Sequence, residues 1–183
     1  MNTRTTSYLY LSAAAMMLTW GLAVPAAAQS SCPGIAPGCF TGSFRGEDSH
    51  PVVPVVPTTV VLHTTAEGTG THLDRFSLTR DVIGDLTNFT AHGAAQWTAA
   101  NGEDIIYTTV FGQAELSDRN GGSLKVTEIH IITGGTGRFT GAQGSFTVQF
   151  IHKLQPSAVV DGIEAHHISG SFHGSITYPG GAR

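Results

Sequence analysis

Large apolar residues recur at every second position in several parts of the chain, which is the period of a β-strand with one buried face. The clearest case is 145–154, where Phe146, Val148 and Phe150 alternate with polar residues. A segment near the C-terminus, 167–178, alternates in the same way. The pattern predicts strands at 39–45, 58–66, 71–82, 88–98, 104–115, 123–133, 145–154 and 167–178.

The number and spacing of these segments indicate a closed barrel. Short strands about 8 to 12 residues apart are typical of sandwiches and barrels. About eight antiparallel strands close into a barrel that is either filled by side chains or holds one small ligand. No window of about 10 residues has helical periodicity. The predicted fold class is therefore all-β, a single closed antiparallel barrel of about eight strands with few or no helices.

Two local features are predicted within this barrel. The dipeptide at 101–102, Asn-Gly, is a strong signal for a tight hairpin turn. Further along, the apolar phase shifts from Val126 to Ile129 and Ile131. A one-residue bulge near Thr127 would explain that shift.

The charge balance of the chain bears on its partners. The 183 residues include 9 Lys plus Arg against 13 Asp plus Glu, a formal charge of −4, and 12% of residues are charged. A basic surface that would neutralise a phosphate backbone or an anionic membrane is therefore not expected. Nucleic acid is not the expected partner, and no later stretch is apolar enough to predict a membrane span in the mature chain.

The first 28 residues, 1–28, have the pattern of a secretory signal peptide. Arg4 supplies the positive charge, 8–24 form the apolar run, and 26–28 are the small residues that signal peptidase requires. We expect cleavage after Ala28. The mature protein is then secreted or periplasmic.

The mature chain is predicted to form one β-barrel domain. Its N-terminal segment, 29–57, holds the first strand and a connection at 51–57 whose prolines cannot donate to a full strand ladder. The remainder of the barrel is 58–183. In an oxidising compartment Cys32 and Cys39 are expected to form a disulfide, because a short segment rich in Pro and Gly brings them together.

A glycine cluster at 134–141 superficially matches a dinucleotide-binding loop. That fingerprint requires a helix directly after the glycines. Here the following segment, 145–154, alternates as a strand instead. The glycines are therefore interpreted as turn residues between packed strands, and no cofactor is expected.

Four segments of the chain resemble those of a known protein group. They are GGTGRFTGAQGSF at 134–146, GTHLDRF at 70–76, ANGED at 100–104 and GSFHGSI at 170–176. They are similar to exported bacterial proteins of the allene-oxide-cyclase-like, dirigent-like barrel group. The resemblance implies an eight-stranded antiparallel barrel and no settled activity. The chain departs from the pattern of this group at Asp74, where a small residue is expected. No residue of the chain can be matched to an active-site residue of the plant cyclases or dirigent proteins.

Histidine is unusually frequent, with 9 residues, and three polar residues form a candidate metal site. A hairpin turn at 67–68 would place His63 opposite His72, with Asp74 on the same face as His72. Two imidazoles and a carboxylate can hold a divalent metal with open coordination positions. The same residues also fit an ordinary polar face rich in Thr, which is the interpretation that the sequence favours.

The sequence leaves catalytic residues unassigned, because it has no nucleophile elbow and no convincing pair of catalytic carboxylates. Whether the protein is an enzyme stays open, as does its oligomeric state. The first hypothesis is an exported barrel that binds a small apolar or amphipathic ligand in its interior without catalysis, with His72 and Arg75 as candidate ligand-binding residues. One alternative is a cofactor-free isomerase or cyclase steered by the same residues. Another is a structural, envelope-associated barrel with no pocket.

Overall fold

The computed structural model describes residues 38–52, 58–117 and 122–179. The strands are β1 (Cys39–Pro51), β2 (Thr59–Gly70), β3 (Asp74–Asp85), β4 (Thr90–Ala99), β5 (Ile105–Leu116), β6 (Ser123–Gly135), β7 (Gln143–Lys153), β8 (Ala158–Val160) and β9 (Ile163–Thr177). A single turn of 3-10 helix, Gly137–Phe139, lies between β6 and β7. In these described ranges, no helix has the length and apolar character needed to cross a bilayer.

Several predictions concern residues outside the described ranges. The signal peptide at 1–28 is one of them, and the Pro-rich connection is described only as far as residue 52. Cys32 also lies outside, so its disulfide with Cys39 stays a prediction.

Eight of the strands close into an antiparallel barrel. Strands β1 to β7 pair consecutively, β7 pairs with β9, and β9 pairs back with β1 along the whole of Cys39–Pro51. The short β8 is an additional strand that pairs with β9. Closure gives both long edges of the sheet a partner, which removes the edges that would otherwise template aggregation. The predicted fold class is confirmed.

Aromatic side chains fill the end of the barrel where β1 begins and β9 ends. The ring of Trp97 is fully buried, with its centroid 5.2 Å from that of Phe76 and 5.0 Å from that of Phe172. Phe139 of the 3-10 turn and Leu73 of the β2–β3 turn are buried at the same end. Full burial of one such side chain stabilises the fold by about 1.5–3 kcal/mol. This closed end is therefore a packed core rather than a binding site.

Glycines on the inner face make room for these rings. A Cβ atom at Gly68 would lie 2.5 Å from the ring of Phe76, and one at Gly70 would lie 2.7 Å from the ring of Phe172. Close ring packing at this end thus requires positions without a side chain.

The other half of the barrel has charged residues on its inner face. Asp48, Arg80 and Glu128 come from β1, β3 and β6, and each is at most 4% exposed. Buried charges are costly unless they are paired and hydrogen-bonded. This half of the barrel holds the candidate site.

The bulge predicted near Thr127 is wrong. Strand β6 alternates without a break there, with Glu128 and His130 buried inside the barrel. Ile129 and Ile131 point outward and are 39% and 45% exposed. The inner face of β6 carries Glu128 and His130 between the buried apolar residues Val126 and Ile132. The two polar residues have buried partners on other strands, which the local pattern does not show.

Candidate functional site

Asp48, Arg80 and Glu128 form a buried group that we call the interior ion cluster. The guanidinium of Arg80 donates from Nη2 to Asp48 Oδ1 at 2.9 Å and from Nη1 to Glu128 Oε1. Its Nε donates to Thr64 Oγ1 at 2.8 Å, and the Thr64 hydroxyl donates to Asp48. The guanidinium carbon also lies 5.2 Å from the ring centroid of Phe150. The fork of the arginine thus holds two carboxylates from opposite parts of the barrel in one fixed arrangement.

Two histidines extend this cluster. His152 Nδ1 lies 2.9 Å from Asp48 Oδ2, and His130 Nε2 lies 3.1 Å from Glu128 Oε2. Because an ionised carboxylate only accepts hydrogen bonds, each imidazole N–H is the donor. His130 Nδ1 then accepts the hydroxyl of Thr108 at 3.0 Å.

The electrostatics of the cluster keep its carboxyl groups ionised. Burial alone would raise the pKa of Asp48 and Glu128, but the charge of Arg80 and the histidine hydrogen bonds outweigh burial and lower both pKa values. Burial would lower the pKa of Arg80, yet the two carboxylates raise it. Burial lowers the pKa of His130, which favours its neutral form. Among these three side chains, two carboxylates against one guanidinium leave one excess negative charge.

A cavity of about 340 Å³ lies between the interior ion cluster and the open end of the barrel. Its volume is at the lower end of the range of ligand sites. Asp48, Arg80, Glu128 and His152 form its polar floor. The walls are mostly apolar and include Val60, Leu62, Phe89, Ala91, Leu124 and Leu154.

Phe89 occupies the rim of this cavity in a strained backbone conformation. Its φ of 55° lies in the left-handed region, which bulky residues rarely adopt. Its carbonyl accepts a hydrogen bond from the Ala114 amide at 2.7 Å, which holds the turn between β3 and β4 against β5. The side chain is 42% exposed, so an aromatic surface faces the cavity entrance.

Three further polar residues meet at the open end, and we call them the mouth triad: His50, Glu164 and His166. His50 of β1 pairs directly with Glu164 of β9, and His166 follows two residues later on the same face. Glu164 Oε2 lies 3.9 Å from His50 Nε2 and 3.5 Å from His166 Nε2. The rings of His50 and His166 stack with their centroids 5.2 Å apart. The geometry thus brings two imidazoles and a carboxylate together at the cavity entrance.

The hairpin turn predicted at 67–68 lies further along the chain. Strands β2 and β3 are joined by 71–73, so His63 pairs with Asp81 rather than with His72. His63 Nδ1 lies 2.7 Å from Asp81 Oδ1, and both side chains are more than half exposed. The glycine at 68 gives space to an aromatic ring instead of making the turn.

The predicted metal site of His63, His72 and Asp74 is therefore not formed. His72 lies in the β2–β3 turn at the closed end, where its Nδ1 is 3.0 Å from the hydroxyl of Tyr178. Asp74 is exposed at the start of β3. His63 is near the other end of β2, roughly 23 Å from Gly70 at about 3.3 Å per strand residue.

His72 and Arg75, the predicted ligand-binding residues, do not line the interior cavity. His72 lies at the closed end of the barrel. Arg75 is exposed on the outer face, where it lines an open groove of about 770 Å³ with Arg45 and Glu67. The cavity opens at the opposite end of the barrel, so a role of these two residues in ligand binding stays a prediction.

The residues around the cavity were not predicted from the sequence. One signal was present, since Arg80 has the same strand phase as Leu78 and Val82, which are buried. Likewise, Glu128 has the phase of buried Val126. A charged residue in phase with a buried strand face points to an interior ion pair, but it does not identify the partner.

In comparisons with known proteins, no family model, curated protein or solved structure matched this chain.

Proposed function

We propose that this protein is an exported barrel that binds a small amphipathic ligand in its open half without catalysis. The observation that supports this most is the cavity of about 340 Å³ between apolar walls and the interior ion cluster. Burying apolar ligand surface there would contribute about 25 cal/mol per Å² removed from water. A structural barrel without a pocket, the alternative considered from the sequence, does not account for this volume.

The polar end of the ligand is expected to donate hydrogen bonds. Arg80 is already paired with Asp48 and Glu128, which leaves an excess negative charge at the floor. Glu164 adds another carboxylate at the mouth. A ligand carboxylate would meet like charge in a site of low dielectric constant, whereas an ammonium or hydroxyl group would find acceptors. An amine or alcohol is therefore preferred to an acid.

Calorimetric titration with octylamine, octanol and nonanoate tests this preference, because the three compounds share one apolar chain of eight carbons. EDTA in the buffer removes any contribution from metal ions. Octylamine and octanol should bind more tightly than nonanoate. Tightest binding of nonanoate would contradict the assignment of a donor-selective floor.

Two neighbouring residues of β4 offer a matched pair of variants that locates the ligand. Ala91 lines the cavity, and His92, the next residue, is exposed on the outer face. Ala91→Phe should fill part of the cavity and weaken binding by about tenfold or more, which corresponds to about 1.4 kcal/mol. His92→Phe should leave binding unchanged. Equal effects of the two variants would place the ligand elsewhere. Native mass spectrometry of protein purified from its own host would then identify the natural ligand.

A cofactor-free isomerase or cyclase is the second candidate, and the pair of Asp48 and His152 favours it. His152 donates its Nδ1–H to Asp48 and lines the cavity, so its Nε2 carries the lone pair of a general base. The resemblance to the allene-oxide-cyclase-like, dirigent-like group supports the barrel fold and leaves the chemistry open, and membership of that group is likewise a proposal. Time-resolved mass spectrometry of a bound ligand separates the candidates. Conversion that is lost in His152→Gln supports the enzyme, and an unchanged ligand supports the binding protein.

A further inference from the structure

The mouth triad has an unusual shortage of hydrogen-bond donors. His166 Nδ1 lies 3.0 Å from the carbonyl oxygen of Lys153, and His50 Nδ1 lies 2.9 Å from that of Pro51. A carbonyl oxygen accepts only, so both Nδ1 atoms are the protonated donors. In the neutral imidazoles, both Nε2 atoms are then left with lone pairs. These lone pairs face Glu164, whose carboxylate is a third acceptor.

His166 gives independent evidence that a partner is missing from this group of atoms. The residue is 4% exposed, and its Nε2 atom is buried without a hydrogen-bond partner. Leaving a buried polar atom unsatisfied costs roughly 1–3 kcal/mol, so native structures contain few of them. Because Nε2 points toward Glu164 and His50, the missing partner belongs between the three residues.

The spacing of the triad suits a small cation. The three ligand atoms lie within 4.8 Å of one another, and Glu164 Oε2 is 3.5 Å from His166 Nε2 and 3.9 Å from His50 Nε2. A tetrahedral ion bound at about 2.0–2.2 Å places neighbouring ligand atoms about 3.3–3.6 Å apart. Glu164 and His50 are partly exposed at the mouth, so small side-chain rotations close the difference.

The supporting contacts are those of a metal site. Metal-binding histidines usually donate their second N–H to a carbonyl or carboxylate, which fixes the ring and its tautomer. Both His50 and His166 do so through backbone carbonyls. Two imidazoles and one carboxylate favour Zn²⁺, Co²⁺, Fe²⁺ or Ni²⁺ over the oxygen-seeking Mg²⁺ and Ca²⁺. A divalent charge would also offset Glu164 and the excess negative charge of the interior ion cluster.

We propose that His50, Glu164 and His166 bind one divalent transition-metal ion at the entrance of the cavity. Three protein ligands leave coordination positions open, which is the arrangement of sites that bind water or a further ligand. The proposal does not rest on the amphipathic ligand. It concerns the ion alone.

Titration of the untagged, EDTA-treated and dialysed protein with ZnCl₂, without organic ligand, tests the site by calorimetry. Cobalt(II) provides a second readout through the visible absorption of the bound ion. One ion per chain should bind, with a dissociation constant well below millimolar. Removing a contact that only supports a ligand typically weakens metal binding by about 10–100-fold, so His166→Ala, which removes a ligand itself, should weaken it by at least about 100-fold.

His167→Ala is the matched control, because this neighbour on β9 is exposed on the outer face and contacts Glu47 instead. It should leave zinc affinity and the cobalt spectrum unchanged. Should His166→Ala fail to fold, His50→Ala and Glu164→Gln give the same test at partly exposed positions. Wild-type affinity no stronger than millimolar would overturn the proposal. So would equal weakening by His167→Ala, or full affinity in all three triad variants.

Discussion

Replacing Arg80 by Met should strongly destabilise the barrel. The substitution keeps an unbranched side chain of similar length but removes the charge that pairs with Asp48 and Glu128. Both carboxylates are 1% exposed, so water can replace the lost partner only in part. Arg80→Met thus leaves two buried carboxylates that keep their neutral hydrogen-bond donors but have lost their cation.

The expected loss is about 3–5 kcal/mol, the usual cost of breaking a buried ion pair by removing one partner. That is a large part of the roughly 5–15 kcal/mol by which most domains are stable. With a urea m value of about 2 kcal/mol/M, the unfolding midpoint should fall by roughly 2 M. The fluorescence of buried Trp97 provides the signal for the transition.

A compensated variant separates charge from packing. Combining Arg80→Met with Asp48→Asn and Glu128→Gln removes all three charges and preserves their approximate shapes. Replacing a whole buried ion group is often nearly neutral, so the triple variant should recover at least about 2 kcal/mol relative to Arg80→Met.

Acidification gives a second check on the same variant. In Arg80→Met, burial without a cation raises the pKa of Asp48 and Glu128 above their unfolded values. The folded variant then binds protons that the unfolded chain does not. The difference in free energy of unfolding between the wild type and the variant should therefore shrink as the pH falls toward about 4. A loss below about 1 kcal/mol at neutral pH, or a triple variant no more stable than Arg80→Met, would refute the reasoning.

Three further predictions concern other parts of the barrel. Burial lowers the pKa of His130 below the unfolded value of about 6.5, so the unfolded chain binds more protons below that pH and stability should fall on acidification. Urea unfolding should show this fall between about pH 7.5 and pH 5.5, and His130→Gln should flatten it. Phe89→Asn should relieve about 1 kcal/mol of backbone strain and raise the melting temperature while weakening octylamine binding; a lower melting temperature would contradict this. Gly170→Ala places a Cβ 2.4 Å from that of Phe150 and should cost about 1–3 kcal/mol by thermal unfolding, whereas Gly84→Ala meets nothing closer than 3.3 Å and should cost less.

The strands were predictable because their evidence is local. Phe146 and Phe150 lie four residues apart on the buried face of β7, and their alternation with polar residues is visible within one short segment. The barrel followed from the number and spacing of such segments. The sequence predicts the hairpin turn at the wrong place because Gly68 leaves space for the ring of Phe76 instead of forming a turn. The sequence around the glycine does not reveal this contact.

The site was not predictable in the same way, because its partners are far apart in sequence. Arg80 and Glu128 are 48 residues apart, and Asp48 and His152 are 104 residues apart. Local periodicity therefore assigns Ile129 and Ile131 to the interior, on hydrophobicity alone, whereas both are exposed. Only the closed structure shows that Glu128 meets an arginine there.

Closure between the first and the last long strand has a consequence for how the protein folds. Long-range pairings of this kind form slowly, since chain entropy must be lost before the contacts form. Until β1 docks on β9, Asp48 lacks the surroundings that dehydrate it, and the sheet is an open, water-exposed ribbon. Removing that water and completing the ion pairs then occur together with docking. Strand docking should therefore be the slow and cooperative step of folding, and ring closure rather than strand formation should limit its rate.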